Sequence, residues 1–163
     1  MFAAIQFPLL PTFTDLQFKI KHRFDKRHEL CLVGLGALDN MTLNEDTGGV
    51  EINEYILSYL PVIKQDVYTI GAVYRYYDNT GYWNFIASNS FLRNNNTKYL
   101  NNQDNDPQML TLKYRSSESE LKLRVEKIIN IQEFRFVAGA GSEFPHYRNE
   151  TFQKIFVENP VTV

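Results

Sequence analysis

The sequence holds one cysteine, Cys31, and therefore no internal disulfide to staple a small, loop-rich fold. Cys31 lies in the apolar run Leu30 to Leu35, where a free thiol is expected to pack as a small hydrophobe. Long hydrophobic runs are also missing. Nothing approaches the roughly 18 to 20 apolar residues that a membrane-spanning helix needs. The opening MFAAIQFPLLPTF lacks a basic leader and is interrupted by Pro8 and Pro11, so it does not read as a secretory signal. Charge of one sign is absent too, since 17 Lys and Arg stand against 19 Asp and Glu, for a net charge of -2. That balance argues against nucleic acid as a partner.

Catalytic signatures are equally scarce. The 3 histidines, His22, His28 and His146, do not share the close spacing of a helical zinc motif. No GxSxG nucleophile elbow occurs. The glycine pairs Gly34 and Gly36, and Gly139 and Gly141, lack the spacing of a phosphate-binding loop, and read as close backbone contacts within strands. The acidic stretches Asn44-Glu45-Asp46 and Asp104-Asn105-Asp106 lack EF-hand spacing and read as solvated loop. Three sequons begin at Asn40, Asn95 and Asn149, as chance allows in an asparagine-rich chain. The chain is expected not to be an enzyme, and to need no cofactor and no metal.

What is present is strand signal. In Leu16 to Phe24 the residues Leu16, Phe18, Ile20, His22 and Phe24 alternate with Gln17, Lys19, Lys21 and Arg23, which gives one buried and one wet face. On that pattern His22 is a core histidine. Leu30 to Leu38 is almost continuously apolar, as expected of a strand covered on both sides, and should pair with the first as a hairpin. Ile52, Tyr55, Ile56, Tyr59 and Leu60 recur at helical spacing ahead of Pro61, which predicts one short helix near 51–60. Val67 to Tyr77 and Tyr82 to Phe91 flank Asp78-Asn79-Thr80-Gly81, a hairpin that sets Tyr76 opposite Trp83, Tyr74 opposite Phe85 and Tyr77 opposite Tyr82. Tyr76 and Trp83 are expected on the packed side, and Tyr77 and Tyr82 on the exposed one. A further hairpin is expected about Ser116 to Ser119, aligning Leu110 with Val125 and Arg115 with Glu120, with strand-like pieces at 128–131, 134–138 and 152–157. The asparagine-laden residues 93–107 have almost nothing apolar to bury and are expected to be a loop ordered only where a neighbour holds it.

Together these patterns predict an all-β fold, an antiparallel β-sandwich, jelly roll or barrel of about eight strands. It would be a single β domain over 1–163, with an N-terminal arm 1–13 and a C-terminal tail 158–163. The candidate interaction surface comprises Lys19, Lys21 and Arg23 on one strand face, Lys26 and Arg27 in the turn after it, Tyr77 and Tyr82, and Asn94, Asn95, Asn96 and Tyr99 of the polar stretch. The basic ridge has an acidic complement in Asp39, Glu45, Asp46, Glu51 and Glu54, an arrangement suited to head-to-tail contact between copies. The expected function is a non-enzymatic structural subunit of a larger assembly, such as a tailed-phage virion component of capsid, neck or tail. Its expected partners are itself, as a homo-oligomer, and other structural proteins, without membrane insertion and with a virion or intracellular location. The alternative is a carbohydrate- or receptor-binding β module that stacks glycan on the tyrosines.

Overall fold

Three tight turns and two long connections organise the chain. In the first turn, Asp25 Oδ1 accepts the backbone N–H groups of Arg27 at 2.6 Å and His28 at 2.9 Å. In the second, Asp78 Oδ1 accepts those of Thr80 and Gly81, both at 3.0 Å, and the Thr80 hydroxyl at 2.9 Å. Short acidic side chains close such turns because they replace backbone acceptors that the chain reversal leaves out of reach. The third turn is Gln132-Glu133, with Gln132 in the left-handed region at φ 52.

The computed structural model describes residues 8–44 and 51–155. The strands are β1 (Leu9–Arg23), β2 (His28–Leu43), β3 (Val62–Asp78), β4 (Gly81–Tyr99), β5 (Leu110–Ile131) and β6 (Phe134–Gln153), with helix α1 (Glu51–Tyr59) between β2 and β3. They form one antiparallel sheet in chain order. In such a meander the three short turns fall at one end and the two long connections at the other. The long ones are 44–61, which carries α1, and 100–109, which carries two single turns of 3₁₀ helix. At that end Lys98 Nζ donates to the Leu57 carbonyl at 2.7 Å and to Asn102 Oδ1 at 2.5 Å, tying α1 to the end of β4. Burial lowers the Lys98 pKa.

The mostly antiparallel β character and the short helix match the sequence, as do the first hairpin and the β3–β4 register, with Tyr76 opposite Trp83 and Tyr77 opposite Tyr82. Phe18 pairs with Gly34, and its ring lies so close that a Cβ on Gly34 would sit 2.2 Å from Phe18 Cε1, so glycine there marks a close contact. Several expectations are corrected. There are six strands rather than about eight, and no second sheet faces this one among the described residues. The hairpin about Ser116 to Ser119 does not form. That segment runs straight through β5, with Ser116 between Asn94 and Asn149, because strands on both sides supply its backbone partners. Residues 93–99 likewise belong to β4, between β3 and β5. The neighbours that order this asparagine stretch are strands of the same chain. The last part of the expected N-terminal arm, from Leu9, is strand β1.

Without a facing layer the core is thin. Leu57 and Ile128 are the buried hydrophobics among the described residues, and Leu35 on β2 remains 51% exposed, so that strand is not covered on both sides. His22 is exposed, with its ring edge-on to Phe24 at 4.7 Å, and is not a core histidine. Cys31 is half-buried. Of the buried strand residues, Glu29, Asn84, Lys98, Ser116 and Ile128 share one face of the sheet, and Gly34 lies on the other beneath the Phe18 ring. A single layer shields one face only by curving toward it. That face is concave, and the other is convex.

Candidate functional site

Side chains alternate faces along a strand, so the cross-strand register sorts every residue to one side. Consider the zone spanned by 15–24, 28–37, 67–76, 83–92, 118–127 and 138–147. Its convex face carries one Asp, Glu, Lys or Arg side chain, Lys127. Its concave face carries twelve: Asp15, Lys19, Lys21, Arg23, Glu29, Arg75, Glu118, Glu120, Lys122, Arg124, Glu126 and Glu143. This is the reverse of a soluble curved sheet, which shelters its apolar face and wets the other.

The convex face is layered. Toward the long-loop end an aromatic line runs through Tyr68 and Phe91, stacked at 5.2 Å, with Phe144 one step further along. Toward the short-turn end a second line comprises Tyr74, Tyr76, Trp83, Phe85, Phe134 and Phe136. Between them lie Phe18, Ile20, Leu32, Ile70, Ala72, Ala87, Leu121 and Leu123, with Asn89 and Ser142 as polar members. Leu16 is 72% exposed and Ile70 53%, so this band faces outward. Trp83, at 37%, belongs to it, while Tyr76 on the same face and Tyr77 and Tyr82 on the concave face are half-buried, so Trp83 is not packed and Tyr77 and Tyr82 are not exposed as the sequence suggests. Lys127 bends out of the band to the Asp78 carboxylate at the turn, and its ammonium passes 5.3 Å from the Trp83 ring centroid. That hydrogen bond is the largest of several that bring the Asp78 pKa down to about 2, the others coming from the Thr80 N–H and hydroxyl.

A continuous polar chain crosses five strands of the concave face. Lys21 Nζ lies 3.1 Å from Glu29 Oε2, and Arg75 Nη1 lies 3.4 Å from Glu29 Oε1. Arg75 Nε donates to Asn84 Oδ1 at 2.9 Å, Asn84 Nδ2 to Glu126 Oε2 at 3.2 Å, and Arg124 Nη2 meets Glu126 Oε1 at 2.6 Å. A parallel chain joins Lys122 to Glu120 at 2.9 Å and Glu143 at 3.4 Å. Glu29 is only 5% exposed, and the two cations that flank it offset the cost of burying a carboxylate.

The residues singled out from sequence divide between these faces. Lys19, Lys21 and Arg23 do share one face, the concave one. Arg23 folds back to the carbonyls of Asp25 and Lys26, both at 3.1 Å, and its guanidinium lies 5.3 Å from the Tyr77 ring. Lys26 and Arg27 occupy the turn, where the Arg27 carbonyl accepts the Tyr77 N–H at 2.8 Å. Arg75 lies 5.9 Å from the Tyr77 ring and 4.9 Å from that of Tyr82, whose hydroxyl accepts from Arg135 at 2.9 Å. Asn94 and Asn96 point to the concave face and Asn95 to the convex one. Asn94 donates to Ser116 Oγ at 3.4 Å, while Asn96 Oδ1 is buried without a partner. Tyr99 ends β4 beyond a register shift. Glu45 and Asp46 lie outside the described residues. Among the described residues no group of three or more His, Cys, Asp or Glu is placed to hold a metal ion.

No protein-family model matches the chain, and a search of curated proteins finds no match. The site therefore stands on its geometry. Sequence reasoning missed the network of Glu29, Arg75, Asn84, Arg124 and Glu126. The available signal is the placing of charged residues, which keeps one phase through the six strands apart from Lys127.

Proposed function

We propose that this sheet is part of the wall of a β-barrel that crosses a lipid bilayer, with its convex face against lipid and its charged concave face toward a polar lumen. The observation that carries this reading is the uncharged convex band bounded by two aromatic lines and backed by twelve charged residues. Membrane barrels need about 9 to 11 residues per strand to cross, with aromatic girdles at both interfaces and a polar interior. Leu16–Phe24 and Tyr68–Tyr76 are nine residues each, and His28–Leu38 is eleven. Short turns at one end and long connections at the other belong to the same architecture. No helix among the described residues is long and apolar enough to cross a membrane, a criterion that does not concern strands.

Six strands are fewer than the roughly eight of the smallest such barrels. In lipid the outer edges of β1 and β6 need partners, because unpaired backbone groups are costly there. Pairing of β6 with β1 of another copy would satisfy both edges and retain the homo-oligomer expected from sequence.

Nitroxide labels introduced singly at 121 to 125, in a Cys31→Ser background reconstituted into vesicles, test the reading. Labels at Leu121, Leu123 and Val125 should be accessible to oxygen dissolved in lipid, and those at Lys122 and Arg124 to a water-soluble nickel complex. A protein that stays in the aqueous phase would overturn it. So would convex labels shielded from both probes, the outcome expected if this is a structural subunit whose convex face packs on another protein.

A further inference from the structure

Just outside the aromatic line at the long-loop end, the convex face changes from uncharged to basic. The first two cross-strand rows beyond Tyr68 and Phe91 contain Asp66, Arg93 and Arg148, then Lys64, Arg115 and Glu150, four cations against two anions. Lys113 lies one row further out. The chain as a whole carries -2, and the charged concave zone balances six cations with six anions, so this excess is local.

Three of these arginines line one cleft of about 400 Å³ on β4, β5 and β6, with Asn95, Ser117 and Glu150 beside them. Register explains the gathering, because Arg93, Ser117 and Arg148 occupy one row and Asn95, Arg115 and Glu150 the next. Arg93 is already paired with Asp66 through its Nε at 2.8 Å and through Nη2. The side chains of Arg115 and Arg148 make no hydrogen bond or ion pair among the described residues. Although Arg115 and Glu150 are cross-strand partners, no ion pair within 4.0 Å joins them. Two free guanidinium forks thus converge on a cleft that already holds a third, neutralised one. Planar forks of this kind bind phosphate oxygens two at a time.

We propose that this cleft binds the phosphate of an anionic lipid headgroup. The inference rests on the membrane reading above, which sets the cleft at the depth where headgroups begin. Asn95 and Ser117 supply further polar groups toward the same phosphate, and Glu150 disfavours a second anion in the same cleft.

The test uses the full chain in detergent and in vesicles of phosphatidylcholine with or without phosphatidylglycerol. By native mass spectrometry the unaltered protein should retain phosphatidylglycerol in preference to phosphatidylcholine. Arg115→Gln with Arg148→Gln should weaken that retention at least about tenfold, whereas Arg115→Lys with Arg148→Lys should weaken it less, keeping the charge but losing the fork. Lys19→Gln on the concave face should leave it unchanged. Equal retention by the double Gln variant would overturn the proposal and leave the cleft an ordinary charged surface. Displacement of the lipid by inorganic phosphate at comparable concentration would also overturn it, in favour of a site for a soluble phosphate. A nitroxide at Leu123 separates the two levels of inference. If that label sits in lipid and headgroup selectivity is absent, only this inference fails, whereas a label that never reaches lipid removes the membrane reading itself.

Discussion

Arg75 on β3 donates through Nε to Asn84 on β4 at 2.9 Å, directly across the hairpin, and so links the Glu29 carboxylate on one side to the Glu126 carboxylate on the other. Asn84 has both donor and acceptor atoms, which allows it to pass the chain of hydrogen bonds from a cation to an anion without adding charge. On a sheet with almost no hydrophobic core, such a network takes over much of the task of holding neighbouring strands in register.

Removing its buried carboxylate should therefore destabilise the sheet. Glu29→Leu strands the half-buried Arg75 opposite an apolar residue, and the expected loss is about 1 to 3 kcal/mol. Glu29→Leu combined with Arg75→Met should lose less than the sum of the single changes. Urea unfolding midpoints in detergent micelles, combined as a double-mutant cycle, measure the difference.

The two faces should respond unequally to a new charge. Leu123→Lys places an ammonium in the middle of the convex band and should cost about 2 to 4 kcal/mol of membrane stability. Ser88→Lys, on the concave face, should cost less than about 1 kcal/mol. Recovery of folded protein after vesicle reconstitution and a urea wash distinguishes them.

Acid should act through Asp78. Its carboxyl, held near a pKa of about 2 by Lys127 and Thr80, titrates below the unfolded value of about 3.9. A group with a depressed folded pKa contributes stability above its unfolded pKa and loses it as pH falls through the folded one. The thermal midpoint should therefore decline between about pH 4 and pH 2. Asp78→Asn should start lower and lose the part of this decline that belongs to Asp78.

The β5–β6 turn offers a stabilising change. Gln132 stands at φ 52, a conformation that L residues adopt at some cost and glycine adopts freely. Gln132→Gly should raise stability by up to about 1 kcal/mol, read as a higher urea midpoint with unchanged slope.

Much of the local structure was legible in the residues. The alternation in Leu16 to Phe24 identified β1, the turn formers around Asp25 and Asp78 placed two hairpins, and Pro61 ended the helix near the right point. Two segments were misread for one reason. Serines at 116–119 and asparagines at 93–99 are poor strand formers in isolation, and they become strand because ladders on both sides satisfy their backbones. The site is legible only in part, since Lys21 and Arg23 stand out in one strand while the network that Lys21 joins through Glu29 continues to Arg75, Asn84 and Glu126 on strands distant in sequence.

The sequence by itself determined that the chain forms antiparallel strands, where several of them reverse, and which residues alternate along each, because those properties follow from side-chain period and turn chemistry. Only the tertiary structure decided which of the two faces is outside. Alternation separates apolar from charged residues without saying which set the sheet curves around, and the curvature comes from pairing across all six strands. That curvature turns the oily face outward and the charged face inward.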